Sequence, residues 1–233
     1  MPAVFITGTD TDAGKTLLTL GLMQALQQQG LRVNGMKPVA AGVFEIDGKT
    51  VNEDAQLIRQ QSTKALPYEL INPWLFEPAI APHIAAQQVN KTIDFQSIKT
   101  ALNEIKKQSD LVVVEGAGGW LVPLNEQQDV ADIAVNMNLP VILIVGLKLG
   151  CINHARLTLQ AIQAAGCRVV GWIGTQIEPE MMNVDENIET LKHYLPVQCL
   201  GIVPWLENQD TKTVASYINT ETLMNELITT SIT

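Results

Sequence analysis

The sequence is short of cysteine, of positive charge and of long apolar runs, and each shortage removes a class of protein. Its three cysteines, Cys151, Cys167 and Cys199, are too few and too scattered for a disulfide framework or a zinc site. An odd, unpatterned count suits a reducing compartment. Lys and Arg total 15 against 24 Asp and Glu, for a net charge of -9 and a pI of about 4.8. Non-specific binding to nucleic acid or to an anionic membrane needs a basic footprint, so neither partner is expected. An anionic ligand stays admissible, because a local cluster of lysines and backbone N–H groups outweighs the global sign. The most apolar run, residues 139–147, is far shorter than a membrane span. The first residues lack the basic region and longer apolar stretch of a signal peptide, and the expected location is the cytoplasm. Charged residues make up only 17% of the chain, which argues against disorder over most of its length. No Gly/Ser or Pro linker and no internal repeat divides it. At 233 residues and 46% hydrophobic content, one domain with a full core is expected.

What is present alternates between strand and helix patterns. Residues 3–7 form a short apolar run that ends in a Gly-containing turn. Residues 15–29 carry helical spacing at Leu18, Leu22, Ala25 and Leu26, with Gly30 placed as a stop. Strands are predicted at 33–39, 111–114, 141–145, 168–173 and 197–203, and helices at 151–165 and 214–228. Continuous apolar strands separated by helices predict an α/β fold with a mostly parallel central sheet and helices on both faces. Ligands of such sheets bind beyond the carboxyl ends of the strands. Residues 40–95, with Pro67, Pro73, Pro78 and Pro82, are expected to form short helices and loops over that edge. Within them the Asp47-Gly48 turn signal makes 43–50 an expected exposed, mobile loop.

The first predicted strand runs into Gly8-Thr9-Asp10-Thr11-Asp12-Ala13-Gly14-Lys15-Thr16, and a helix follows. The interval between the two glycines is one residue longer than in the usual phosphate-loop pattern, but the Gly14-Lys15-Thr16 end is intact. Backbone N–H groups at a helix N-terminus hold phosphate oxygens. Lys15 neutralises the β/γ region and the Thr16 hydroxyl is placed to ligate Mg²⁺. The reading is a P-loop NTPase.

Such an enzyme needs a carboxylate near its metal. Glu115 ends an apolar run, where that acid is expected, and the following Gly116, Ala117 and Gly118 let backbone approach a ligand. Asp54 reads on its own as a helix cap or first-turn acid, the cap being favoured. Lys37, before Pro38, faces the phosphate-loop edge or is a solvated strand-end lysine. The four arginines, Arg32, Arg59, Arg156 and Arg168, lie outside these loops, which leaves lysines, Mg²⁺ and helix N-termini to stabilise a phosphoryl transition state. Residues 148–154 join a buried strand to a helix and offer a second anion site. There Cys151 reads as structural, and His154 is a candidate for chemistry against the commoner capping or packing role.

Together, the phosphate loop, Lys37-Pro38-Val39-Ala40, Val114-Glu115-Gly116-Ala117-Gly118-Gly119 and Gly146-x-Lys148-Leu149-Gly150-Cys151-Ile152-Asn153-His154 resemble the dethiobiotin synthetase family. The lengthened phosphate loop is that family's own form. The resemblance implies ATP-dependent carboxylation and ring closure of 7,8-diaminopelargonate with CO₂, through a carbamate and a carbamic-phosphoric anhydride. It implies Lys37, Lys15 and Thr11 as catalytic residues. ATP would lie on Asp12, Ala13, Gly14, Lys15, Thr16 and Leu17, on Asp54, and on Glu115, Gly116, Ala117 and Gly118. It would also meet Thr175 and Gln176, and Pro204, Trp205 and Leu206. Thr16, Asp54 and Glu115 would ligate Mg²⁺, which makes Asp54 a ligand. The diamine would meet Thr11, Lys37 and Ala41. Gly150, Cys151 and Asn153 would reach it from the partner subunit of a homodimer. Three positions depart from the family's usual residues: Asp12 stands for Glu, Ala41 for Ser, and Thr175-Gln176 for Asn-Asp, which removes groups that read adenine. A switch ATPase of the partitioning or metallochaperone type is the alternative. It would carry a second lysine in the phosphate loop, where this chain has Asp10-Thr11-Asp12.

Overall fold

The computed structural model describes residues 3–228. In chain order the elements begin with β1 (Ala3–Gly8), α1 (Lys15–Gln28), β2 (Val33–Met36), β3 (Val39–Ala41), β4 (Phe44–Ile46) and β5 (Lys49–Val51). They continue with α2 (Glu53–Gln61), α3 (Tyr68–Ile71), β6 (Trp74–Phe76), α4 (Pro82–Gln88), α5 (Phe95–Lys106), β7 (Leu111–Gly119), α6 (Ala131–Asn136), β8 (Val141–Leu147) and α7 (Cys151–Ala164). The chain closes with β9 (Val169–Gln176), α8 (Val184–Tyr194), β10 (Cys199–Val203), α9 (Thr211–Ala215) and α10 (Thr220–Ile228).

Six strands form one parallel sheet in the order β10-β9-β8-β1-β7-β2. Val112, Val113 and Val114 of β7 and Ile142, Leu143 and Ile144 of β8 are wholly buried, as expected where helices cover both faces of a sheet. Burying such a side chain contributes roughly 1.5–3 kcal/mol, so the central strands hold the ligand edge on a rigid base. Helix α1 is buried on Leu18, Leu22, Met23, Ala25 and Leu26 and packs on α2 and α9. Gly30, at φ 83°, stops it where expected: its N–H donates to the Gln27 carbonyl at 2.9 Å. No helix among the described residues is long and apolar enough to cross a membrane.

Three expectations change. The predicted strand 33–39 is two strands. Pro38 has no N–H with which to continue the ladder, so β2 ends at Met36 and β3 pairs with β6 in a separate two-stranded sheet. Residues 43–50 turn at Asp47-Gly48 and are largely exposed, as expected, but they form a β-hairpin: β4 and β5 pair antiparallel across Asp47 and Gly48, at φ 51° and 70°. Two positive φ angles in a two-residue connection match strand twist, and Asp-Gly is well suited to them. The last predicted helix, 214–228, is also divided. Ile218 bridges to Gly201, and the Asn219 N–H donates to the Leu200 carbonyl at 2.7 Å, so the chain touches the sheet edge between α9 and α10. Elsewhere the expected elements stand with shifted ends: β7 runs on to Gly119, β9 to Gln176 and β8 to Leu147.

Candidate active site

The connection from β1 to α1 carries the phosphate loop. The Thr9 N–H donates to the Ile144 carbonyl at 2.9 Å, which fastens the loop to β8. Gly14 sits at the helix N-cap with φ 82°, and a Cβ there would lie 2.7 Å from the Thr175 methyl carbon. Both the backbone angle and the close approach require glycine. No side chain caps α1 and no acid lies in its first turn, so its leading N–H groups remain directed at whatever anion binds there. Lys15 is buried and folds back so that its Nζ donates to the Asp10 carbonyl at 2.9 Å. Burial, with repulsion from Lys37 second, lowers its pKa.

The register of β2 on β7 pairs Met36 with Val114, which brings Lys37 beside Glu115. The Lys37 Nζ lies 2.5 Å from Glu115 Oε1 and 2.9 Å from Asp54 Oδ2. Lys37 is thus a buried cation held between two carboxylates, and the solvated-lysine reading is excluded. Burial alone would lower its pKa, but Glu115 and Asp54 outweigh it and the net shift is upward. The Thr16 hydroxyl donates to Glu115 Oε1 at 3.0 Å. Asp54 stands in the first turn of α2, and the cap is Asn52, whose Oδ1 accepts from the Ala55 N–H at 3.2 Å. The cap reading of Asp54 is corrected to the first-turn one, a place where a carboxylate is favoured. Burial raises the Asp54 pKa, and Lys37 more than reverses this, for a net lowering.

Glu115 is fully buried, and its Oε2 has no hydrogen-bond partner among the described residues. An unpaired carboxylate oxygen at that depth is costly unless a cation or donor meets it. With the Thr16 hydroxyl and Asp54 nearby, the donor set suits a hard divalent cation. No group of three or more His, Cys, Asp or Glu side chains among the described residues forms a cage. Such an ion would take its remaining oxygens from phosphate and water.

Around this cluster the other predicted residues divide. Ala13 is buried, while Thr11 and Asp12 are exposed at the crown of the loop, Asp12 at φ 56°. Thr11 lines a hollow with Trp120, Leu121, Val122 and Leu157. Leu17 borders a cleft beside Thr16, Leu20, Asp54 and Leu57. Gly116 is buried, and Ala117 and Gly118 are half-buried in the tail of β7, Gly118 at φ 63°. Ala41 ends β3, half-buried. Thr175 is buried behind Gly14. The Gln176 Nε2 donates to the carbonyls of Glu178 and Pro179 at 3.0 and 3.3 Å. Its Oε1 accepts from the Trp205 N–H at 3.5 Å, which joins this strand end to the segment Pro204, Trp205 and Leu206. Gly150, Cys151 and Asn153 open α7, where Gly150 is an uncapped N-cap at φ 94°, Cys151 is buried and Asn153 is exposed. Among the described residues no hydrogen bond or ion pair links these three to Lys37, Asp54 or Glu115 of the same chain.

Sequence reasoning missed two features. Lys148 Nζ lies 2.6 Å from Asp10 Oδ2 and ties the β8–α7 connection to the phosphate loop. That pair lowers the Asp10 pKa and raises that of Lys148. Its only signal in the sequence was that both residues follow strands and so share one edge. Asn52, Tyr68 and Asn72, which anchor the segments around Lys37 and Asp54, gave no chemical signal of their own.

The profile of the AAA domain matches residues 2–213. The ATP-dependent dethiobiotin synthetase BioD of Ralstonia nicotianae is 43% identical over 220 residues, 94% of this chain and 96% of that protein. The enzyme of the same name from Cellvibrio japonicus is 43% identical over 223 residues, 96% and 98% of the two chains. That from Marinobacter nauticus is 44% identical over 209 residues, 89% of each. Solved structures of similar fold include the cell division ATPase MinD of Pyrococcus furiosus, with a TM-score of 0.57 at 12% identity, covering 98% of this chain and 99% of that one. Apo McdA of Cyanthece has a TM-score of 0.56 at 10% identity, covering 97% and 99%. At such identities these structures speak for the P-loop α/β fold alone. By its identity to the named enzymes over nearly its whole length, this AAA-domain chain belongs to the ATP-dependent dethiobiotin synthetase family.

Proposed function

We propose that the protein joins CO₂ to 7,8-diaminopelargonate and closes the ureido ring of dethiobiotin at the expense of ATP, as a step of biotin synthesis. One amine attacks CO₂, forms a C–N bond and loses a proton to give a carbamate. A carbamate oxygen attacks the γ-phosphorus of ATP, and ADP leaves. The second amine then attacks the carbamoyl carbon of the mixed anhydride and loses a proton, and phosphate departs as the ring closes. The observation that carries the reading is Lys37, a buried cation fixed by Glu115 and Asp54 on the edge where the phosphate loop presents its N–H groups. A preorganised cation at that place stabilises the charge shared by carbamate and γ-phosphoryl oxygens. Lys15 and the N–H groups of residues 12–17 hold the phosphates, with the 115–118 segment alongside. Thr11, beside its apolar hollow, and Ala41 border the diamine. Thr16, Asp54 and Glu115 would hold Mg²⁺, and the unpaired Glu115 oxygen supports that assignment. The ion supplies charge neutralisation at the β- and γ-phosphates when bound. In this reading the whole chain is one P-loop α/β domain, cytoplasmic, with no nucleic-acid or membrane partner. It acts as a homodimer in which Gly150, Cys151 and Asn153 of one subunit meet the substrate of the other. The switch-ATPase alternative is disfavoured, because Asp10, not a lysine, stands in the phosphate loop and is itself neutralised by Lys148.

Lys37→Gln tests the assignment. Turnover should fall at least about a hundredfold while circular dichroism at the assay temperature stays that of the folded enzyme. Retention of more than about a tenth of wild-type turnover would remove Lys37 from its role.

A further inference from the structure

Lys37 and Asp54 stand on different segments, and neither β2 nor α2 by itself fixes the distance between them. Their ion pair spans it, and a chain of polar groups braces the two backbones behind the pair. Asn72 is buried, and its Nδ2 donates to the carbonyl of Lys37 at 2.7 Å and to that of Trp74 at 3.2 Å. Its Oδ1 accepts from the Tyr68 hydroxyl at 3.0 Å. The same Tyr68 oxygen accepts from the Asn52 backbone N–H at 2.8 Å. Asn52 in turn caps α2, the helix that carries Asp54, and its Nδ2 donates to the Gly42 carbonyl at 2.9 Å, next to Ala41. The phenol therefore uses both its donor and an acceptor to join the Lys37 backbone, the turn after β3 and the first turn of α2. Burial raises the Tyr68 pKa, so the hydroxyl keeps the proton it donates throughout the neutral range.

We propose that Tyr68 is a positioning residue for the phosphoryl-transfer cluster. Through Asn72 and Asn52, its hydroxyl sets the separation of Lys37 and Asp54 and hence the geometry of the cation site between Asp54, Thr16 and Glu115. The proposal rests on the reaction assigned above. Its physical basis is that buried polar groups left without partners rearrange or pull neighbours out of place. Displacement of about 1 Å in a group that acts on reacting atoms costs up to about a hundredfold in rate. Phenylalanine keeps the ring and its packing and removes only the hydroxyl. The Asn52 N–H and Asn72 Oδ1 then lose their shared partner, and the Lys37–Asp54 ion pair loses its brace through the backbone behind it.

The test compares wild type, Tyr68→Phe, Asn72→Ser, Asp54→Asn and the Tyr68→Phe/Asp54→Asn double variant. The readouts are diamine-dependent phosphate release at saturating Mg²⁺ and Mg²⁺ affinity by calorimetry in the presence of ADP. Tyr68→Phe should lower kcat about tenfold, leave KM for ATP within about threefold, and weaken Mg²⁺ binding about threefold or more. In the double variant the hydroxyl's removal should add less than about twofold to the loss caused by Asp54→Asn alone. Asn72→Ser, too short to span Lys37 and Tyr68, should reproduce the loss, and it carries the test if Tyr68→Phe does not fold. A merely structural role would lower the melting temperature and leave kcat per folded molecule and Mg²⁺ affinity unchanged. That result, or losses that multiply fully in the double variant, overturns the proposal. Wild type whose phosphate release ignores the diamine would overturn the assigned reaction instead, and the Mg²⁺ titrations would still decide the role of Tyr68.

Discussion

The Thr175 side chain is 2% exposed, and its methyl carbon occupies the space into which a Cβ on Gly14 would project. A single hydroxyl cannot make the paired contact to adenine N6 and N7 that a carboxamide makes. Gln176 has the carboxamide that could pair with adenine, but its amide donates to Glu178 and Pro179. Base rejection depends on leaving polar groups of the site unpaired when the wrong base enters, and here the Gln176 amide is already bonded within the chain. In the proposed site Gly14, Lys15 and Thr16 would hold a triphosphate without regard to its base. GTP and CTP should therefore support the reaction within about tenfold to fiftyfold of ATP in kcat/KM. Preference for ATP above about a thousandfold would contradict this. Loss of such a preference in Gln176→Ala would show that Gln176 leaves its carbonyl partners to read adenine. At this scale the sequence was legible where a residue's place follows from a strand and the turn after it. Lys15, Thr16 and Glu115 are placed by the strand–turn–helix pattern alone. Asp54 was legible as cap or first-turn acid but not which, since the choice falls to Asn52, which takes the cap of α2. The bonds of Tyr68 and Asn72 were not legible, because they join segments distant in sequence and a lone Tyr in a Pro-rich stretch has no periodicity.

Among the elements, the central strands and α1 and α7 were legible because each is set by a continuous apolar run or by helical spacing. The break at Lys37-Pro38, the hairpin at Asp47-Gly48 and the split between α9 and α10 were not. Each depends on a partner elsewhere: β3 on β6, β4 on β5, and residues 218–219 on the edge strand β10. Helix α7 carries the prediction that belongs at this scale. It begins uncapped at Gly150 with no acid in its first turn, an arrangement that favours a carboxylate ligand. In its own chain this helix start has no bond to the Lys37 cluster. Beside Thr11 the chain exposes Leu121 and Leu157, apolar surface suited to a second copy. A dimer is expected by sedimentation. Mixing Lys37→Gln chains with Asn153→Ala chains should then restore about a quarter of the wild-type rate, because half the dimers are hybrids and one of two sites in each is intact. No recovery, with hybrids demonstrated, would contradict shared sites.

For the molecule as a whole, a net charge of -9 coexists with an edge where Lys15, Lys37 and Lys148 gather around the phosphate loop. Global charge governs solubility and non-specific association, while a local cluster with oriented N–H groups governs the ligand. The parallel sheet places this cluster at the carboxyl ends of β1, β2, β7 and β8, as the alternating pattern of the sequence implied. Fold alone does not separate a synthetase from other ATPases, since the cell division ATPase MinD shares the architecture. In the proposed reading the separation lies in Asp10, Lys37 and the buried carboxylate of Glu115. Release of phosphate from MgATP, measured with and without 7,8-diaminopelargonate plus bicarbonate, tests it most directly. A synthetase should release phosphate more than about tenfold faster with both co-substrates present, with one dethiobiotin formed per phosphate. Phosphate release that is unchanged by the diamine and bicarbonate would contradict the account.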